Sequence, residues 1–323
     1  MTAADEQPGG TATPTLTIAI PSYQRRAKLE ALLDSLSTCL APPPDVPVDV
    51  VVVLDGSTDG SRELIEGLVD GFPVPLRVEW QPNGGPAAAR NHCFDTAEGE
   101  LVWLLDDDIH ANREALERHL AWDRERAPVL TGPYDIHSDD PLVSLATEWY
   151  DERHERLSTV GLVTNPVEVS FANASAPTAL LREHRMDERY RGYGMEDIDL
   201  AVRLLDAGVE IAFDPGTAVV HAFNPSPTER LRKRREEGAN RVRFVTLHPH
   251  RRDLVFEEHI GRLERGLRRI DSPAASTPLW GLGRAVLTLT GTPLPARWRA
   301  KALSVSEVFA LYSGVAAEGG IPD

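Results

Sequence analysis

The sequence predicts an α/β protein: a mostly parallel sheet flanked by helices, followed by a helical C-terminal extension. Two observations carry this expectation. Short apolar, β-leaning runs alternate with amphipathic stretches four times before residue 106. Beyond residue 225 the strand-like runs give way to long charged stretches of helical character.

"LTIAI", residues 16–20, ends at Pro21 and reads as the first buried strand. The helix pattern that follows places Leu29, Leu32, Leu33, Leu36 and Leu40 on one face, and the prolines at 42–44 stop it. "VDVVVVLD" is the second strand. The helix after it buries Leu64, Ile65, Leu68 and Val69. "LRVEW" is the third strand, "NGGPAAARNHCFDTA" a glycine turn opening a third helix, and "LVWLL" the fourth strand. Residues 111–126 read as a helix, and 129–185 as short strands and loops. "MEDIDLAVRLLDAG" is a helix closed by Gly208, and "VEIAFDPGTAVVHAF" two strands around an Asp-Pro-Gly turn. In the extension, Phe256, Ile260, Leu263, Leu267 and Ile270 recur at amphipathic helix spacing, and a proline-containing hinge at 271–278 leads into a final helical segment. The expected organisation is a disordered tail at 1–14, a catalytic domain at 15–225 and a mostly helical extension at 226–323.

Composition narrows the function. The chain has 323 residues, 41% of them apolar, and a formal charge of −16. A strongly negative chain lacks the basic face that nucleic acid requires. Only Cys39 and Cys93 are present, so no disulfide framework is expected and a reducing cytoplasm fits. No apolar run reaches the roughly 20 residues of a membrane helix. The amino terminus lacks the basic and apolar regions of a signal peptide.

Ligands of parallel sheets bind beyond the carboxyl ends of the strands. Three strand ends here carry polar or turn chemistry: the "PSYQR" turn at 21–25, Asp55, and the triple aspartate Asp106, Asp107 and Asp108. Three adjacent carboxylates repel, and a hard divalent cation such as Mg²⁺ or Mn²⁺ relieves that repulsion. The alternative for them is a solvated loop. Asp55 suits an imide N–H of a pyrimidine base or, alternatively, a helix cap. Arg90, in the third helix, is placed to reach the Asp106 cluster. Glu196 and Asp197 open a helix, where carboxylates favour the dipole and where one of them could also be a general base. His221 ends a strand and is either structural or a metal partner. For the "RLRKRR" run at 230–235, a solvated helix face is favoured over a meeting with diphosphate or a charged acceptor.

Taken in order, "TIAIPSYQRRAKLEALLDSL", "VVVLDGSTDGS", "NGGPAAARN", "GELVWLLDDDI" and "GYGMEDIDLAVRLLDAG…IAFDPGTAVVHAF" resemble the family 2 glycosyltransferases of the GT-A fold. The resemblance covers residues 16–225. It implies a Rossmann-like sheet and an inverting, metal-dependent transfer of a sugar from a nucleotide-diphosphate sugar, of UDP type by preference, to an acceptor hydroxyl. It implies that Pro21, Ser22, Tyr23 and Arg25 line the donor and that Asp55 contacts the base, with Leu54 standing where the family pattern has a first acid. Asp106 and Asp107 fall near ribose and diphosphate beside Arg90. Asp108 corresponds to the metal-binding acid of the D-x-D motif, and His221 completes metal coordination. Asp197 of the Glu196–Asp197 pair is the implied base. The acceptor is unassigned; Trp149 and Tyr150, in the segment 132–175, either help form its site or pack in the core. A retaining enzyme on the same fold, a sugar-nucleotide pyrophosphorylase and a non-catalytic sugar-binding module are the alternatives. For the C-terminal helices, packing on the catalytic domain is the default, with pairing of two chains or a peripheral membrane contact as alternatives.

Overall fold

All four apolar runs form strands, three of them buried and the third, residues 76–81, half-exposed, and every helix expected between them is present. The computed structural model describes residues 15–137, 159, 161–222, 225–256 and 262–322. The tail at 1–14, Trp149 and Tyr150 lie outside the described residues.

In chain order the elements are β1 (Leu16–Ser22), α1 (Arg26–Cys39), β2 (Val48–Asp55), α2 (Ser61–Leu68), β3 (Leu76–Gln81), α3 (Pro86–Thr96) and β4 (Leu101–Leu105). Then come β5 (Ile109–His110), α4 (Arg113–Ala121), β6 (Val129–Thr131), β7 (Tyr134–His137), β8 (Gly161–Leu162), β9 (Asn173–Pro177), α5 (Thr178–His184), α6 (Glu196–Asp206), β10 (Ile211–Phe213) and β11 (Val219–Ala222). The extension contributes α7 (Pro227–Leu247), α8 (Asp253–Phe256), α9 (Arg262–Leu267), α10 (Ser276–Leu287) and α11 (Ala296–Ala317).

One sheet has the order β3-β2-β1-β4-β9-β6-β10-β8, and a smaller one the order β5-β11-β7. The pairs β1–β2, β1–β4 and β2–β3 are parallel, whereas β9 runs antiparallel between β4 and β6. Strand alternation explains why the runs read as continuous apolar stretches. Leu101, Trp103 and Leu105 of β4 face one hydrophobic cluster with α1, while Val102 and Leu104 face the other with α3. Both faces are covered, so both parities must be apolar.

A third cluster joins the extension to the rest. Val242, Phe244 and Val245 of α7 and Leu311, Tyr312 and Val315 of α11 pack with Tyr190, Met195 and Val202. Two glycines let α7 and α11 approach closely. A Cβ on Gly238 would lie 2.0 Å from the Leu311 carbonyl oxygen, and one on Gly314 would lie 1.9 Å from that of Arg235.

Four sequence expectations change. Val69, expected on the buried side of the second helix, is exposed in the 3-10 turn that follows α2. The helix expected at 111–126 spans only Arg113–Ala121, because Trp122 turns extended and its indole N–H donates to the Ala127 carbonyl at 3.0 Å. The amphipathic helix expected over 256–270 is described only as the short α8 and α9 around undescribed residues, with Leu263 exposed. The "RLRKRR" run is a solvated face only in part: Arg232 is exposed, whereas Arg230 is buried against Glu307 and Arg234 is paired with the buried Glu237. Most of the run packs inward because α7 lies between the Tyr190–Val202 segment and the α10–α11 hairpin.

Substituting Gly238→Ala or Gly314→Ala is expected to push α7 and α11 apart and to cost about 1–3 kcal/mol. Urea denaturation of each variant measures this; an unchanged midpoint would refute the close-packing role.

Candidate active site

At the carboxyl edge of the sheet, β1, β2 and β4 end side by side. β1 runs out at Ser22 and β4 at Leu105, so the turn after β4 sets its aspartates beside the "PSYQR" turn. The Ser22 hydroxyl donates to Asp107 Oδ2 at 2.7 Å. Arg25 Nη1 donates to Asp107 Oδ1 at 2.9 Å and to Asp108 Oδ2 at 3.0 Å. Lys28 Nζ reaches the same Asp108 oxygen at 3.0 Å. The other oxygen, Oδ1, lies 3.0 Å from His221 Nε2.

Backbone register places that histidine. β5 follows the aspartates directly and pairs antiparallel with β11, so His221 stands opposite Ile109. The Ala222 N–H donates to the Asp108 carbonyl at 2.9 Å. Tyr134, from the neighbouring β7, meets the imidazole edge-on at 5.1 Å between centroids.

Asp107 and Asp108 are both buried, yet their acidities diverge. Burial raises Asp107, and the Arg25 charge only partly opposes it. Burial also pushes Asp108 upward, but the hydrogen bond and charge of His221, with the charges of Arg25 and Lys28, hold it far below the carboxylate range. Asp108 is thus held as an anion by the cationic groups around it, the imidazole among them.

A second group of acids is gathered by one guanidinium. Arg90 comes from α3 and is buried. Its Nη2 donates to Asp106 Oδ1 at 2.8 Å, and its Nη1 donates to Glu196 Oε1 at 2.8 Å and Asp197 Oδ1 at 3.2 Å. One positive charge thus serves three carboxylates. Burial, then the Asp197 charge, raises Glu196 despite Arg90. The geometry agrees, because Glu196 Oε2 is buried without a hydrogen-bond partner. A proton there lowers the charge of the group. Asp197 is better solvated, and its Oδ2 accepts from the Phe171 N–H at 3.1 Å.

The loop that presents Glu196 and Asp197 is strained and externally held. Gly192, Gly194 and Met195 all have positive φ. From α7, Asn240 Nδ2 donates to the carbonyls of Arg191, Tyr193 and Gly194 at 2.9–3.2 Å. Glu236 Oε2 accepts the Tyr193 N–H at 3.0 Å. Lys233 Nζ sits 4.8 Å from the centre of the Tyr193 ring and 4.0 Å from Glu229. Burial, then the nearby positive charge of Arg25, lowers its pKa.

The structure therefore brings together Ser22, Arg25, Arg90, Asp106, Asp107, Asp108, Glu196, Asp197 and His221 in contacts that share residues. Pro21 precedes Ser22 on β1, and Tyr23 is exposed at the rim. Asp55 is buried, with Oδ1 accepting from Gln81 Nε2 at 2.7 Å and the Gly84 N–H at 2.8 Å, and Oδ2 from the Gly85 N–H at 2.9 Å. It pins the turn that opens α3. Sequence reasoning missed Lys28, Asn240 and Glu236, and weighed Lys233 only as part of the "RLRKRR" run. Lys28 stands one helical turn after Arg25, and that spacing was a usable signal. Nothing local marked Asn240 or Glu236.

Among the described residues no group of three or more His, Cys, Asp or Glu side chains is arranged to hold a metal. Asp108 and His221 form a two-donor oxygen–nitrogen set. Arg25 and Lys28 take Oδ2, so the Oδ1–His221 edge is the place a cation fits. Its remaining positions would fall to water and ligand oxygens.

The sequence profile described as "Glycosyl transferase family 2" matches residues 17–172. Validoxylamine A glucosyltransferase of Streptomyces hygroscopicus subsp. limoneus is 28% identical over 272 residues, which is 75% of this chain and 59% of that protein. The chain thus spans about three fifths of that relative's length. Two solved structures share the fold. Mannosyltransferase PcManGT from Pyrobaculum calidifontis, in complex with GDP-Man and Mn²⁺, has a TM-score of 0.60 at 19% identity, covering 96% of this chain and 89% of that one. Residues 1–349 of S. aureus TarS, in complex with UDP, have a TM-score of 0.55 at 20% identity, covering 91% and 89%.

Two outcomes test the acid cluster. Arg90→Ala leaves Asp106, Glu196 and Asp197 without their shared cation and is expected to cost about 3–5 kcal/mol, read by urea denaturation. Glu196 favours its proton in the folded state, so its contribution is present at acid pH and is lost as pH rises through its raised folded pKa. Glu196→Gln is therefore expected to gain stability relative to the parent between weakly acid and weakly alkaline pH. Parallel pH profiles of the two proteins would contradict this.

Proposed function

Residues 17–172 belong to glycosyl transferase family 2, and from that premise we propose that the protein transfers a sugar from a nucleotide-diphosphate sugar to an acceptor hydroxyl with inversion. The observation that carries this reading is the Arg90 bridge. It ties the strand-end Asp106 to the helix-start pair Glu196–Asp197, so donor-side and acceptor-side acids share one site.

Asp197 acts as the general base. It is the more solvated acid of the pair, and the Phe171 N–H and Arg90 fix its direction. It takes the acceptor hydroxyl proton as that oxygen bonds to the anomeric carbon. The bond from that carbon to the diphosphate oxygen breaks as the new one forms on the opposite face. Positive charge accumulates on the sugar ring, as in glycoside hydrolysis. Glu196, holding a proton, keeps the pair from carrying two full negative charges.

On the donor side, Arg25, Lys28 and Lys233 are the cations available to the diphosphate. Asp108 and His221 would hold Mn²⁺ or Mg²⁺. When bound, such an ion offsets charge developing on the diphosphate leaving group. Pro21, Ser22 and Tyr23 line the nucleoside, with the exposed Tyr23 ring free to stack. Asp55 remains the candidate for the base. Its three donors leave part of a carboxylate's roughly four lone-pair sites open, which suits the imide N–H of uracil. A UDP-sugar is the donor this favours.

The test is donor turnover across a panel of nucleotide sugars with Mn²⁺, with the anomeric configuration of the product read by NMR. Asp197→Asn is expected to lower kcat by about 10²–10⁴-fold with little change in donor affinity. Asp108→Ala is expected to weaken both metal dependence and donor binding. Undiminished turnover in both variants, or a product that retains the donor configuration, would defeat the assignment of Asp197.

A further inference from the structure

A concentrated apolar exposure lies far along the chain from the acids. Ten large hydrophobic side chains are exposed among the described residues, and four of them, Leu282, Leu289, Leu294 and Trp298, fall within one short segment. That segment is the turn of the α10–α11 hairpin, comprising the second half of α10, a short 3-10 turn at Thr288–Gly291 and the start of α11. The other end of the hairpin is buried: Leu279 of α10 and Leu311, Tyr312 and Val315 of α11 belong to the cluster beneath α7. The hairpin is thus anchored at its base and apolar at its tip. Between Leu289, Leu294 and Trp298 lies an open hollow of about 400 Å³, walled by apolar side chains and rimmed by Lys301.

Charge at this tip opposes that of the whole. The chain carries −16, yet residues 272–306 contain Arg284, Arg297, Arg299 and Lys301 and no Asp or Glu. Arg284, Arg297 and Lys301 are exposed. A single-sign basic rim around exposed Leu and Trp is the composition of an element that lies in a lipid interface. Trp adds an amphipathic ring suited to the headgroup level. No helix among the described residues is long and apolar enough to cross a membrane, so the contact would be one of lying on the surface. A second copy of the chain fits less well, because a pair of these tips would set two basic rims against each other.

We propose that the tip of the α10–α11 hairpin docks on an anionic lipid bilayer, with Leu289, Leu294 and Trp298 in the acyl–headgroup boundary and Arg284, Arg297 and Lys301 on the lipid phosphates. The anchor holds the catalytic domain through α7, the same helix that grips the loop before Asp197. An enzyme held this way acts on acceptors presented at that surface.

The experiment is vesicle flotation of the full chain with phosphatidylcholine alone and with phosphatidylglycerol added, at low and high salt. The parent protein is expected to float with the anionic vesicles only, and to be released by salt. Leu289→Ser/Leu294→Ser/Trp298→Ser and, separately, Arg297→Glu/Lys301→Glu are each expected to weaken that binding about tenfold or more. Thermal melting and donor hydrolysis, which do not use these residues, are expected to stay at parental levels in both. Failure of the parent to float with anionic vesicles overturns the proposal. So does binding that survives both variants, or a parental dimer in sedimentation that the apolar variant splits to monomers, since the face would then be covered by a second copy. Because donor hydrolysis is read in parallel, loss of docking and failure of the glycosyl-transfer reading are separable.

Discussion

Carboxylates crowded at the edge of a sheet have to be neutralised, and the rest of this site follows from how that is done. Asp106, Asp107, Asp108, Glu196 and Asp197 meet where β4 ends and α6 begins. Two arginines sort them. Arg25 spans Asp107 and Asp108, and Arg90 spans Asp106, Glu196 and Asp197. There are fewer fixed cations than acids, so burial favours a proton on Asp107 and Glu196, while His221, Arg25 and Lys28 hold the equally buried Asp108 ionised. That division produces three kinds of acid from one residue chemistry: a Glu196 whose burial favours a proton, a better solvated Asp197, and an Asp108 held strongly ionised beside an imidazole.

The C-terminal extension is part of this arrangement. α7 supplies Asn240 and Glu236 to the glycine-rich loop before α6 and Lys233 to the ring of Tyr193. A loop with three positive φ angles in four residues needs outside donors and acceptors to hold one conformation. Those come from α7, which is itself clamped to α11 through close glycine contacts. Catalytic geometry and the helical extension are therefore mechanically linked. A boundary drawn at residue 225 separates them in sequence but not in packing.

Much of the fold was legible because both sheet faces are buried. Continuous apolar runs such as "VVVVL" and "LVWLL" can only be central strands, and the glycine, proline and aspartate turns between them mark where helices start and stop. The site was legible where its chemistry is local. A triple aspartate after a strand, and Glu196–Asp197 at a helix start, announce themselves. The "RLRKRR" run misled in part for the converse reason: charged residues read as solvent-facing, but Arg230 meets Glu307, 77 positions away, which no nearby spacing reveals.

The sequence by itself determined the alternating α/β order, the acids at the strand ends and the candidate base, because each depends on periodicity or on neighbours within a few residues. Only the tertiary structure decided which acids share a cation, which oxygen of Asp108 faces His221, that Asp55 pins the turn before α3, and that α7 holds the loop before Asp197. Those outcomes rest on contacts between residues 30 to more than 100 positions apart, such as Asp55 with Gly85 and Arg90 with Glu196. Charge neutralisation in a buried site is set by distances in space, which no local pattern encodes.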